Sequence, residues 1–432
     1  MKEILYRNYP RIPRDQEVDV VVVAHLAAFG HGPLLESFLV QVGSRDCECQ
    51  GTPKNFKTRS RICRTKVQKI VNSRLGVDLV EREGRTAIFL ARTTKALEVL
   101  LAYGADPNVQ DDSGQTAVHD AANGIRLHGI ERLKAICSVH RVKLKVSAST
   151  CSVEAALEYS MQNTDHSNYL LQPLAHRFDI NIRDKLGRTA LCWAVDHEED
   201  LGTSSFAKVS LMLDAFPDID IHLLDTLNSR SPLSYAVEQG NTETIKLLLS
   251  HYSESDLPYL NMPDSTGRTI VSYAAVKQDD TVVRLLVAKI PRIALDTPDH
   301  EGRTPLRWAM RQAFSSLDKS LECIQFFLAT GRVNPFKSDE HGNSPFGELR
   351  DLFLARGRYR TWRTEGEKEA LLEMIKMAEN REVMGRFQLA DDNLRRIEEE
   401  VAEARKLVKE IDLFVEEIEN RASCTMMVHR GS

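Results

Sequence analysis

The sequence runs to 432 residues, beyond the roughly 250–300 at which a single hydrophobic core stops growing, so it forms several domains or an open-ended repeat array. Apolar residues make up 42% and charged residues 28%, and 22 Gly with 15 Pro are too few for a fibrous or low-complexity chain. A net charge of −5 and a pI near 6.3 supply no global field toward nucleic acid or an anionic membrane; any such affinity needs a local patch.

Residues 1–17 read as a polar tail without the apolar stretch of a secretory signal. The run from Val20 to Phe29 is too short to span a bilayer and contains His25. The expectation is an intracellular protein, cytoplasmic and/or nuclear, without membrane association. Residues 18–80 form an irregular, expanded first unit, one stretched repeat or two poor ones. Ala24–Phe29 and Leu34–Val40 pair as helices, Gly43 to Ser60 interrupts, and Arg61–Leu75 makes a further helix. End units of repeat arrays are commonly atypical because they cover an exposed apolar face.

Inside this unit the basic segment 51–77 carries Lys54, Lys57, Arg59, Arg61, Arg64, Lys66, Lys69 and Arg74 and no acid. It is either a nuclear-import or phosphate-binding patch, or a solvated helix face with Ile62, Val67, Ile70 and Val71 turned inward. Phe56 is the one aromatic among these basic residues, too few for a base-stacking platform, so nucleic acid is not an expected partner. The eight cysteines are scattered, and Cys47, Cys49 and Cys63 lack a fourth ligand at zinc spacing, so neither a metal nor a disulfide framework is expected.

Over residues 81–355 one pattern recurs: an acid, two residues, Gly, one residue, Thr or Ser, then a short helical run. It appears at Glu81 (Gly84, Thr86), Asp111 (Gly114, Thr116), Asp184 (Gly187, Thr189), Asp264 (Gly267, Thr269), Asp299 (Gly302, Thr304) and Asp339 (Gly342, Ser344). At Asp225 the same motif has Ser229 in the Gly place. The Thr/Ser positions 86, 116, 189, 231, 269, 304 and 344 are separated by steps of 30, 73, 42, 38, 35 and 40. The step of 73 is read as two units, with a degenerate repeat at 141–180. Each residue has a local job: the acid and Gly build a tight turn, and Thr or Ser caps the next helix. Pro is tolerated at the first helical position.

This pattern resembles the ankyrin repeat, whose period is about 33 residues. The tails Gly104-Ala105-Asp106-Pro107-Asn108 and Gly331-Arg332-Val333-Asn334-Pro335 resemble the family's closing loop, and the longer loops look closer to fungal-type repeats than to the consensus. The resemblance implies an all-α fold, an ankyrin-repeat α-solenoid with short β-hairpin or turn connections. It also implies that the first helices line a concave groove and that the hairpin tips carry specificity. Candidate partner-binding residues are then an aromatic column on the first helices, Trp193, Tyr235, Tyr273 and Trp308, and the tip residues Lys185, Arg188, Arg268, His300, Arg303 and His341. For the column, packing between neighbouring helices is the alternative. For the arginines, the alternative is stabilisation of adjacent turns.

Residues 366–421 follow as one long helix, with 422–432 a tail. Across 383–418 apolar residues hold strict three-four spacing, including Leu394, Ile397, Val401, Val408, Ile411, Val415 and Ile418. Two outcomes stay open. The helix makes the chain a homo-oligomer, or it folds back as a cap on the last repeat; Leu407 and Phe414 widen the apolar face beyond a two-stranded seam and favour either the cap or a higher oligomer.

The sequence contains no phosphate-cradling Gly-rich loop, no His-Glu-x-x-His, no Gly-x-Ser-x-Gly and no Gly-x-Gly-x-x-Gly. The expectation is a non-enzymatic scaffold without cofactor that binds protein partners. A nuclear regulator targeted by residues 54–74, or a noncatalytic subunit, is the alternative.

Overall fold

The computed structural model describes residues 18–44, 61–74, 84–123, 129–149, 178–196, 204–277, 280–313, 317–351, 372–377, 379–380, 395–406 and 409. Among the described residues there are helices and turns and no strand. The chain divides into two compact units, Met1–Leu248 and Leu249–Ser432.

The first unit begins with α1 (Val18–Ala28), α2 (Gly32–Ser44) and α3 (Arg61–Val71). A 3-10 turn at Ala87–Leu90 and α4 (Thr94–Ala102) come next, then α5 (Ala117–Asn123) with α6 (Gly129–Ser149), and α7 (Ala190–Asp196) with α8 (Ser205–Ala215). It ends on α9 (Pro232–Gln239) and most of α10 (Thr242–Ser250). Two layers run through it. In one, α1 packs on the 3-10 turn, that turn on α5, α5 on α7, and α7 on α9. In the other, α2 packs on α4, α4 on α6, and α6 on α8. Apolar second-helix residues such as Leu97, Leu100, Leu133, Ile136, Val209 and Met212 fill the space between and are fully buried.

The second unit contains α11 (Leu257–Leu260), α12 (Ile270–Lys277) with α13 (Asp280–Lys289), and α14 (Pro305–Ala313) with α15 (Leu317–Ala329). The same two-layer order holds, α12 on α14 and α13 on α15. Ser231 caps α9 by accepting from Ser234 N, with Pro232 at its first position, so local sequence sets where this helix begins.

The 73-residue step between Thr116 and Thr189 holds one repeat, not the two read from its length. Lys185 N donates to Ser113 O at 3.1 Å, so the Asp184 turn sits directly on the Asp111 turn. Asp179 N donates to Asn108 Oδ1 at 2.8 Å, and α5 and α6 pack on α7 and α8. No space is left between them for a degenerate repeat at 141–180. The first part of that stretch is the end of the long α6; residues 150–177 lie outside the described residues.

Neighbouring repeats are tied at two levels. At the turns, Thr226 N donates to Leu186 O, His300 N to Thr266 O and Glu340 N to Glu301 O. At the closing loops an asparagine accepts from the next loop: Asn72 from Asp106 N, Asn181 from Asp220 N, and Asn261 from Ala294 N, each at 2.8–2.9 Å. The turn glycine is required by this close approach. Gly187 has φ +74, and a Cβ there would stand 2.3 Å from Thr226 N. Ser229, which replaces Gly in the Asp225 turn, is held at φ 57, a left-handed conformation that is strained for a residue with a side chain. Ser229→Gly should therefore stabilise the protein by about 0.5–1 kcal/mol, read as a rise in the denaturant midpoint at unchanged slope.

Residues 395–406 are helical and lie against the end of the second unit. Arg396 donates to Ser338 Oγ, and Arg350 pairs with Glu403 at 3.6 Å. Ile397, Val401 and Ala404 are buried within the single chain. Ile397 and Val401, two residues of the expected oligomer seam, are thus covered by their own chain. Leu394, Val408, Ile411, Val415 and Ile418 lie outside the described residues. No helix among the described residues is long and apolar enough to cross a membrane.

Candidate functional site

Each repeat turn is built around the two oxygens of its aspartate. Asp264 Oδ1 accepts from Thr266 N and Arg268 N at 2.8 and 2.9 Å. Asp184, Asp299 and Asp339 do the same with the residues two and four positions on. This fixes the turn and aims Oδ2 at the following first helix. There it meets the polar tip of the aromatic column: Trp193 Nε1 donates to Asp184 at 2.9 Å, Tyr235 OH to Asp225 at 2.7 Å, Tyr273 OH to Asp264 at 2.5 Å and Trp308 Nε1 to Asp299 at 3.0 Å. Burial alone would raise Asp264, but the bonds from Tyr273, Thr266 and the backbone hold it below its ordinary value.

The column is therefore packed largely inside the repeats. Tyr235, Tyr273 and Trp308 are 1%, 7% and 6% exposed, and Trp193 is half-buried. Each latches its own turn to its own helix, because a buried tyrosine or tryptophan needs a partner for its O–H or N–H. Asp120 and Glu348 occupy the same place in two further repeats, and both are paired with arginine, Asp120 with Arg85 and Arg132 and Glu348 with Arg307.

The turn arginines stack on these rings. Arg188 lies 5.0 Å from the Trp193 centroid and 4.7 Å from that of Tyr235 in the next repeat, and it bonds Asp196 at 2.7 Å. Arg230 lies 4.2 Å from Tyr235 and bonds Glu238 at 2.6 Å. In the second unit Arg268 and Arg303 lie 3.8 and 4.4 Å from Trp308, and Arg303 also holds Asp299 at 2.9 Å and Glu301 at 2.5 Å. Arg188, Arg268 and Arg303 are half-buried parts of this stacking.

Accessible side chains lie at the tips. Lys185, His300 and His341 are exposed, with Ser265, Thr266, Glu301 and Glu340. Leu186 is 40% and Leu227 61% exposed, and the Thr226 to Leu186 backbone bond brings these two leucines to adjacent tips. Leu227 escaped the sequence reading because the Asp225 turn lacks Gly; an apolar residue in the outer turn position, where polar side chains are the rule, was the available signal. In the basic segment, Val67, Ile70 and Val71 of α3 are buried and Lys69 is exposed, as on a solvated amphipathic helix. Arg61, Arg64 and Lys66 lie on α3 too; Lys54, Lys57 and Arg59 fall outside the described residues. Among the described residues no three His, Cys, Asp or Glu could hold a metal.

One carboxylate stands apart. Burial pushes Asp296 up to about 6 against the attraction of Lys337, whose Nζ is 3.9 Å away. Its Oδ1 has no hydrogen-bond partner among the described residues. The folded protein binds this proton more tightly than the unfolded chain does, so the stabilisation is complete below about pH 4 and is lost as pH rises toward 6. Asp296→Asn should be more stable than the wild type at pH 7, with the difference in thermal midpoint narrowing as pH falls toward 4.5.

A family model for ankyrin repeats (three copies) matches residues 154–259 and 199–297. Inversin from Mus musculus is 26% identical over 219 residues, covering 43% of this chain and 20% of that protein. The human (Homo sapiens) inversin is also 26% identical over the same length. The inactive serine/threonine-protein kinase TEX14 of Bos taurus is 45% identical over 60 residues, 13% of this chain and 4% of its own. The match to inversin thus spans about a fifth of that protein's length. Among solved structures, the ankyrin repeat domain of Bcl-3 aligns with a TM-score of 0.41 and 18% identity over 61% of this chain and 94% of its own. An ankyrin repeat domain from Acinetobacter baumannii AYE aligns with a TM-score of 0.36 and 24% identity over 51% and 95%.

Proposed function

We propose that the chain, whose residues 154–297 match a family model for ankyrin repeats, is a non-enzymatic scaffold that grips protein partners through its turn tips and first-helix face. The observation that carries the reading is the division of labour within each repeat. The aromatic and turn aspartate are used up internally, while the tips present side chains with no internal task, among them the adjacent leucines Leu186 and Leu227. Exposed apolar side chains grouped within a polar surround mark surfaces that another protein covers. The burial of Ile397 and Val401 within one chain supports the single chain as the binding unit.

Affinity capture with the full chain, and with Leu186→Asp/Leu227→Asp, followed by mass spectrometry, tests the proposal. The full chain should retain a stoichiometric protein partner that the double variant loses while melting at the same temperature. Equal capture by both would refute the role of the tips, and absence of any stoichiometric partner would refute the scaffold reading. A truncation ending at Glu365 should retain the same partner.

A further inference from the structure

In the first unit two turn arginines are neutralised by an acid eight residues later on the first helix of the same repeat, Arg188 by Asp196 and Arg230 by Glu238, while Arg85 pairs with Asp120 and Asp111 of the next repeat. The second unit breaks this rule twice. The position that matches Asp196 and Glu238 is Val276 after Arg268, and Arg311 after Arg303.

Charge is therefore left over. Arg268 stacks 3.8 Å from the Trp308 centroid, and its Nε is buried with no hydrogen-bond partner among the described residues. Arg311 approaches the same ring at 5.6 Å and is exposed, as is Lys277 at the end of the adjoining α12. Neither Arg268, Arg311 nor Lys277 has a carboxylate within ion-pair distance among the described residues. Among the described side chains the nearby acids are engaged already: Asp264 by Tyr273, Asp299 and Glu301 by Arg303, and Asp339 by Arg307. Glu348, which also feels Arg311, is bonded by Arg307 at 2.8 Å.

We infer that Arg268, Arg311 and Lys277 form a docking surface for an acidic segment of a protein partner. This rests on the scaffold reading above and gives it a partner chemistry. Charge complementarity selects the occupant: two guanidinium groups offer paired N–H donors that match carboxylates, and stacking on Trp308 holds Arg268 in place before a ligand arrives. Partner carboxylates would take the place that Asp196 and Glu238 fill in the first unit.

The test restores the missing acids. Val276→Glu gives Arg268 the counter-charge its equivalents possess, and Arg311→Glu removes one cation of the surface and puts an acid where Asp196 and Glu238 stand; both should leave the melting temperature unchanged or higher. The probe is a fluorescein-labelled peptide of alternating Glu and Leu, with a Gln and Leu peptide as control, measured by polarisation on the full chain. The wild type should bind the Glu peptide with an affinity that falls as salt rises, and each variant should lose at least tenfold. Equal binding of the Gln peptide, undiminished binding by folded Val276→Glu and Arg311→Glu, or preference for a single-stranded oligonucleotide would each overturn the inference. If a captured partner still binds both variants, the acidic-segment claim fails while the scaffold reading stands.

Discussion

Replacing Asp120 with alanine should cost about 3–5 kcal/mol, the largest loss expected from any one side chain in the first unit. Arg85, fully buried, donates to one carboxylate oxygen of Asp120, and Arg132 donates to the other at 2.6 Å. Arg132 also reaches Phe89 O at 2.6 Å, and Arg85 approaches Asp111 at 3.5 Å. Two guanidinium groups thus share the Asp120 carboxylate in a buried site, with the longer Asp111 contact to Arg85 as the only other acid among the described residues. Removing that carboxylate leaves both cations facing each other across a low-dielectric space, which is far worse than never having buried them. The signature is non-additivity: Asp120→Ala/Arg132→Met should be more stable than Asp120→Ala alone in denaturant melts. Simple addition of the two single losses would show that the cluster is not coupled.

Asp299→Ala should cost about 2–4 kcal/mol, because one carboxylate satisfies four donors. Its Oδ1 holds Glu301 N and Arg303 N, and its Oδ2 takes Trp308 Nε1 and Arg303 Nε. Loss of Oδ1 loosens the turn, and loss of Oδ2 strands a buried indole N–H. Trp308→Phe isolates the second part and should cost about 1–2 kcal/mol, since the ring still fills its place under Arg268. Circular dichroism melts separate them. A Trp308→Phe loss equal to that of Asp299→Ala would mean that the turn itself contributes nothing.

The repeat was legible in the sequence because its determinants are local. Asp264, Gly267 and Thr269 each act within a few residues, so their spacing alone reports the turn and the helix start. The aromatic positions were legible too, but not their direction. Trp308 finds its partner nine residues earlier, and only the folded turn shows that Asp299 Oδ2 points toward it. The step from Thr116 to Thr189 misled because length was taken for repeat number. Residue count alone does not give repeat number, and the direct contact of Lys185 with Ser113 is what places the Asp184 turn on the Asp111 turn. The three-four spacing at Ile397 and Val401 likewise marks an apolar stripe without naming the surface that covers it. The charge imbalance at Val276 and Arg311 was written in the sequence, but it becomes visible only once Asp196 and Glu238 are seen to neutralise Arg188 and Arg230.

Chemical cross-linking of the full chain to its captured partner, with mass spectrometry of the linked lysines, tests the binding surface most directly. Lys185 at a tip and Lys277 at the end of a first helix are exposed, and so are Lys134 and Lys289 on the second helices α6 and α13. Cross-links to the partner should concentrate on Lys185 and Lys277. A partner linked through Lys134 and Lys289, with Lys185 and Lys277 unmodified, would contradict a scaffold that works through its turn tips and first-helix face.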